Sequence, residues 1–160
     1  MSERLTPATD LFRADANTPE IAANVAKWVD ELLTTDRPQT VGSLCRLEEL
    51  KGLKRAVGEC CLGVWCRVAD VPYEDIDGHR VYEDEYSFLP PSQVEALGLR
   101  DHRGTYGEDD ALFALNDDDK CTFKEIGLFI YDSWLAQFGA EISLSEEGRT
   151  ALAKAKGEQS

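Results

Sequence analysis

Three thiols lie within seven positions of one another in the run Gly58-Glu59-Cys60-Cys61-Leu62-Gly63-Val64-Trp65-Cys66, and they are the residues of this chain best placed to do chemistry. A cysteine in the first turn of a helix gains thiolate character from the helix dipole, and a histidine on a later strand would supply the base of a cysteine hydrolase or transferase. Cys60 and Cys61 are the candidate nucleophiles, with His79 or His102 as the base. The competing reading is that cysteine packs as a small hydrophobe. Cys61 shares a helical face with Val64, Trp65 and Val68, and both histidines sit in polar, turn-like sequence, so this reading is preferred and no residue is assigned as catalytic.

Metal chemistry needs particular spacings. Zinc sites use Cys-x2-Cys pairs or equivalent Cys/His sets, and Cys45, Cys60, Cys61, Cys66, Cys121, His79 and His102 form none. The run from Asn116 to Glu125 is similar to the end of a calcium loop. With Glu125 in the last ligand position, however, Ala114 takes the first and Asp119 the place that requires glycine. An Asx-turn leading into a capped helix explains Asn116, Asp117 and Thr122 without a metal. Neither a metal nor a cofactor is expected.

Charge is the strongest clue to partners. The net charge is −14, and its distribution is uneven: −1 over residues 1–69, −12 over residues 70–119 and −1 over residues 120–160. The middle third carries the candidate binding residues Glu74, Asp75, Asp77, Glu83, Asp84, Glu85, Glu108, Asp109 and Asp110. Nothing in their spacing singles out a catalytic carboxylate pair. Such a face repels phosphate backbones and anionic lipids and complements a basic protein. The expectation is therefore a basic protein partner, no nucleic acid and no membrane. An odd count of five cysteines, and no apolar stretch after Met1-Ser2-Glu3-Arg4, point to reduced thiols and a cytoplasmic location.

Several elements must position these groups. At 160 residues the chain can bury roughly two thirds of its unfolded surface in one domain. Residues 1–16 lack periodicity and read as a flexible N-terminus, 17–140 as a single globular domain, and 141–160 as a polar tail with helical capacity. Thr18 and Pro19 open a helix carrying Ile21, Val25, Trp28, Val29 and Leu32 at helical spacing. A short strand or turn is expected near 41–47, then a basic exposed excursion over 50–55. The second helix spans about 60–69, with Gly63 marking close approach of another backbone. Asp77-Gly78 signals a turn before strand Arg80-Val81-Tyr82, which is expected to pair with Tyr86-Ser87-Phe88-Leu89. Ser92 and Glu95 have capping-box spacing for a short helix ended by Gly98, and residues 100–110 read as a mobile loop. Thr122 and Glu125 cap a long helix closed by Gly139.

Three segments resemble an uncharacterised family of small proteins of bacteriophages and actinobacterial prophages: Cys60-Cys61-Leu62-Gly63-Val64, then Leu89-Pro90-Pro91-Ser92-Gln93-Val94 with Leu97-Gly98-Leu99, and Leu115-Asn116-Asp117 with Phe123-Lys124-Glu125-Ile126. A Trp28-Val29 pair in the opening helix belongs to the same pattern, which spans roughly residues 24–135. Two positions depart from it. Arg67 stands where such proteins commonly have aspartate and Gly127 where they commonly have alanine, and both read as tolerated packing or surface changes. The resemblance implies a phage-type accessory protein and assigns no catalytic residue.

The sequence thus predicts an α+β fold, one helix-rich domain with a small antiparallel sheet, packed around Trp28, Trp65 and Trp134. The leading functional expectation is a non-enzymatic binding protein that uses its acidic face. The alternatives are the cysteine-dependent enzyme and a protein that sequesters a small molecule between its helices.

Overall fold

The structure, a computed structural model, describes residues 5–159. Helix α1 (Pro19–Thr34) begins as its sequence dictates: the Thr18 side chain accepts the Ile21 N–H at 3.3 Å, and Pro19 needs no donor in the first turn. Its apolar face, with Val25, Trp28, Val29 and Leu32 buried, packs chiefly against the helix of residues 123–138.

Strands β1 (Cys45–Leu50) and β2 (Leu53–Glu59) form a hairpin where a strand and an exposed excursion were expected. Lys51 and Gly52 turn the chain with φ of 54° and 80°, the paired left-handed values of a type I′ turn. Helix α2 (Cys61–Val68) follows directly. Gly63 sits against the Leu44 backbone, the close approach that its place inside a helix suggested.

Strands β3 (Tyr73–Ile76) and β4 (His79–Tyr82) make the second hairpin. Asp77 and Gly78, with φ of 49° and 82°, form the expected turn, but β4 pairs with residues before that turn and not with 86–89. A second tight turn explains the difference. Tyr82 and Glu85 exchange backbone hydrogen bonds of 2.8 and 2.9 Å around Glu83 and Asp84, so β4 ends there and the 86–89 segment leaves the sheet. The four strands run in the order β2-β1-β4-β3, antiparallel throughout.

Helix α3 (Pro91–Ala96) is capped by Pro90 without a side-chain bond. Ser92 lies inside the helix and bonds Glu83 instead of forming a capping box. Residues 100–110 are built rather than loose: β5 (Thr105–Tyr106) pairs with β6 (Asp110–Ala111), and Asp101 Oδ1 accepts the N–H groups of Arg103 and Thr105 at 3.0 and 3.1 Å. After α4 (Leu112–Asp117), helix α5 (Phe123–Phe138) carries the full Thr122/Glu125 capping box and ends on a left-handed Gly139. Helix α6 (Glu146–Gln159) lies on α1 and α5, and Ile142, Leu144, Leu152 and Ala155 of the expected polar tail join the core.

The N-terminal segment also corrects its expectation. Residues 1–4 lie outside the described residues, but Leu11, Phe12 and Ala16 are buried, and Phe12 packs edge-on to Trp134 at 4.9 Å between ring centroids. The Gln137 amide clasps the Phe12 backbone through both its groups, at 3.1 and 2.7 Å, and Ser133 Oγ accepts the Ala8 N–H at 3.0 Å. Aperiodic sequence gave no sign of this, because the segment is held by side chains distant in the chain. The whole is an α+β fold with a small antiparallel sheet, and Trp28, Trp65 and Trp134 are all buried. Among the described residues no helix is long and apolar enough to cross a membrane.

Candidate functional site

The cysteine motif is interior. Cys60, Cys61 and Cys66 are buried, and burial pushes the Cys60 thiol up to about 12 although the N–H groups of Gly63 and Leu62 pull the other way. Burial raises Cys61 and Cys66 as well. Cys61 Sγ lies 3.7 Å from the Leu112 carbonyl oxygen, in core packing. Of the donors at the helix N-terminus, the Cys61 N–H is taken by Asn116 Oδ1 at 3.1 Å, and those of Leu62 and Gly63 face a Cys60 thiol whose burial outweighs them.

Asn116 is a junction and not the Asx-turn residue its sequence suggested. Its Oδ1 also accepts Gln39 Nε2 at 2.8 Å, while its Nδ2 donates to the Thr40 carbonyl at 2.9 Å and to Asp117 Oδ1 at 2.8 Å. All four amide hydrogen bonds are made inside the protein, which fixes α4 to the start of α2. A buried amide that spends its full capacity in this way has no sequence signature.

Neither histidine meets the thiols through any described hydrogen bond. His79 alternates with the core-facing Tyr82 and so faces away from the thiols, stacked on Tyr86 at 4.9 Å between ring centroids. His102 is exposed and sits edge-on to Phe88. Among the described residues no group of three or more His, Cys, Asp and Glu side chains is placed to hold a metal ion.

These thiols should therefore resist chemistry. Cys60 and Cys61 are expected to alkylate slowly under native conditions, at the rate of global opening, and Cys61→Ser is expected to cost about 1–2 kcal/mol in urea unfolding. Stoichiometric labelling at neutral pH within the mixing time would reverse this assignment. The pH dependence follows from the same burial. An unfolded thiol ionises near 8.5 and folded Cys60 near about 12, so the protonated thiol's stabilising contribution is complete below the first value and is lost as pH rises toward the second. A melting temperature that falls steadily above about pH 9 is the expected observation.

The acidic residues divide into two groups. Glu108, Asp109 and Asp110 are exposed at the β5–β6 turn, which is anchored by the Asp10 carboxylate accepting the Gly107 N–H at 2.9 Å. Glu74, Asp75, Asp77, Glu83, Asp84 and Glu85 belong to the β3–β4 hairpin and the turn after it. Asp75 is paired with Arg80 at 3.0 Å, on the side where the Arg80 guanidinium covers the Tyr73 ring at 3.8 Å. Glu85 is half-buried, its backbone closing the turn on Tyr82. Asp77 is exposed in the hairpin turn.

The remaining members meet in one place. Cross-strand register sets Glu74 opposite Val81 and Ile76 opposite His79, and side-chain alternation puts all four on the sheet face away from Tyr82. There a hollow of about 250 Å³ is lined by Tyr73, Glu74, Ile76, Val81, Glu83 and Asp84. Its apolar floor was missed from sequence because it depends on the β3–β4 pairing. The alternation of Tyr73, Glu74, Asp75 and Ile76 around the Asp77-Gly78 turn is the signal that could have found it.

No protein-family model, curated protein or solved structure matches this chain.

Proposed function

We propose that this chain is a non-enzymatic binding protein of the phage-accessory type, acting in the cytoplasm, which engages a basic protein partner through the acidic face of residues 70–119. The observation that carries this reading is charge left without internal compensation. Glu74, Asp77, Glu83, Asp84, Glu108, Asp109 and Asp110 are exposed, while the three bases of the same stretch are already engaged. Arg80 pairs with Asp75, Arg100 pairs with Asp10 at 3.1 Å, and Arg103 lies over the Phe88 and Phe113 rings. An uncompensated field of one sign accelerates encounter with a partner of the other sign and repels nucleic acid. Five free, buried cysteines suit a reducing compartment.

The test is parallel affinity capture on the wild-type protein and on a variant carrying Asp77→Asn, Asp84→Asn, Glu108→Gln and Asp109→Asn. The wild type is expected to retain a basic protein that the variant loses and that about 0.5 M salt releases, as screening requires. Retention of the same protein on both columns, or of acidic proteins only, overturns the reading.

A further inference from the structure

We infer that the hollow on the outer side of the β3–β4 hairpin is a seat for an arginine side chain from an extended basic segment of the partner. The inference rests on the binding reading above and names its anchor within the acidic face. The hollow combines two properties that a merely solvated acidic surface does not need. Its floor is apolar, formed by the outward-facing Ile76 and Val81, and Ile76 remains 45% exposed. Its rim is acidic, with Glu74, Glu83 and Asp84 around that floor and no basic residue in the lining. Exposed apolar surface ringed by charge of a single sign fits a side chain with a long apolar stem and a cationic head.

The rim is also held in place. Glu83 and Asp84 adopt φ of 48° and 70°, left-handed values that a turn would reach with less strain through glycine or asparagine. Glu83 Oε2 accepts the Ser92 hydroxyl at 2.5 Å, so this carboxylate is positioned by α3 before anything binds. The hairpin shows the same chemistry on its other side, where the Arg80 guanidinium lies on Tyr73 and pairs with Asp75. A planar guanidinium suits paired carboxylates better than an ammonium does, which selects arginine over lysine.

The experiment is titration of the full chain with a hexa-arginine peptide, with hexa-lysine and hexa-glutamate in parallel, followed by calorimetry and amide chemical shifts at low salt. Shifts are expected to concentrate on residues 73–84, with hexa-arginine bound more tightly than hexa-lysine and hexa-glutamate not at all. Glu74→Gln with Asp84→Asn is expected to weaken hexa-arginine about tenfold, whereas Glu108→Gln with Asp109→Asn, which removes the same charge from the β5–β6 turn, weakens it less than about threefold. Ile76→Ser, which leaves every charge in place, is expected to weaken it about threefold through the lost floor contact. All five side chains are exposed and asparagine tolerates the backbone of position 84, so folded variants are expected and amide spectra verify them. Equal losses in the two charge-neutralised pairs overturn the seat while leaving the acidic face standing. Equal affinity for hexa-lysine overturns the choice of arginine, and no binding of hexa-arginine overturns the seat outright.

Discussion

Gly63→Ala is expected to leave little folded protein, at a cost above about 3 kcal/mol. In an exposed helix interior the same change is favourable by about 1 kcal/mol, because alanine has less backbone freedom to lose. Here a Cβ at position 63 would overlap the Leu44 carbonyl group, which is backbone and cannot rotate aside. That peptide is fastened on both sides: its carbonyl accepts the Cys60 N–H at 3.2 Å, and the Leu44 N–H donates to the Tyr86 carbonyl at 2.6 Å. Relief would have to move α2 away from the segment leading into β1, and the Cys60–Cys66 packing with it. Two further glycines grade the effect. Gly127→Ala meets the Leu32 and Leu33 side chains at 3.1–3.3 Å, where α1 and α5 must yield by a few tenths of an ångström, so a small change of either sign is expected. Gly157→Ala meets nothing within 4 Å and is expected to stabilise by a few tenths of a kcal/mol. Urea unfolding of the three variants gives the order directly, and a Gly63→Ala protein as stable as wild type would remove the close-approach explanation.

Arg67→Ala is expected to lose about 3 kcal/mol, on the order measured when one member of a buried ion pair is removed. The Arg67 guanidinium reaches Glu59 and Glu31 at 2.7 Å each, and so ties the end of β2 to α1 through α2. The Glu59 side chain is only 4% exposed, so deletion of the arginine leaves a carboxylate without water or counter-charge. If that stranded charge is the cause, adding Glu59→Gln to Arg67→Ala should recover roughly half of the loss, and a double-mutant cycle measures it. No recovery would place the loss in packing of the arginine stem instead. Arg67→Asp should be worse than alanine, since it sets a third carboxylate beside Glu31 and Glu59. Arg67 is therefore no neutral surface residue: in this chain it is matched to its acidic neighbours.

Local signals were legible in the sequence and cross-chain ones were not. Thr18, the Thr122–Glu125 box, Gly139 and the Asp77-Gly78 turn act within a few residues of themselves, so their chemistry can be read directly. The β1–β2 hairpin was blurred because its inward residues Cys45 and Leu47 alternate with charged ones over so short a run. Glu83-Asp84 gave no turn signal because neither residue is glycine, yet this turn ends β4 and decides its partner strand. The uneven charge located the acidic face, whereas its apolar floor, the Asn116 junction and the Arg67 ion pairs each join residues that only the folded chain brings together.

The Gln137 clasp on Phe12 bears on the order in which the molecule can assemble. Contacts spanning 125 positions raise the contact order, and loop closure over such a distance is disfavoured until the intervening elements have docked. During synthesis the apolar pair Leu11 and Phe12 is made well before Leu99 and α5, the elements it packs on, and so stays uncovered in the interval. Docking of the Leu11–Phe12 segment is then expected late in folding, after α5 has packed on α1.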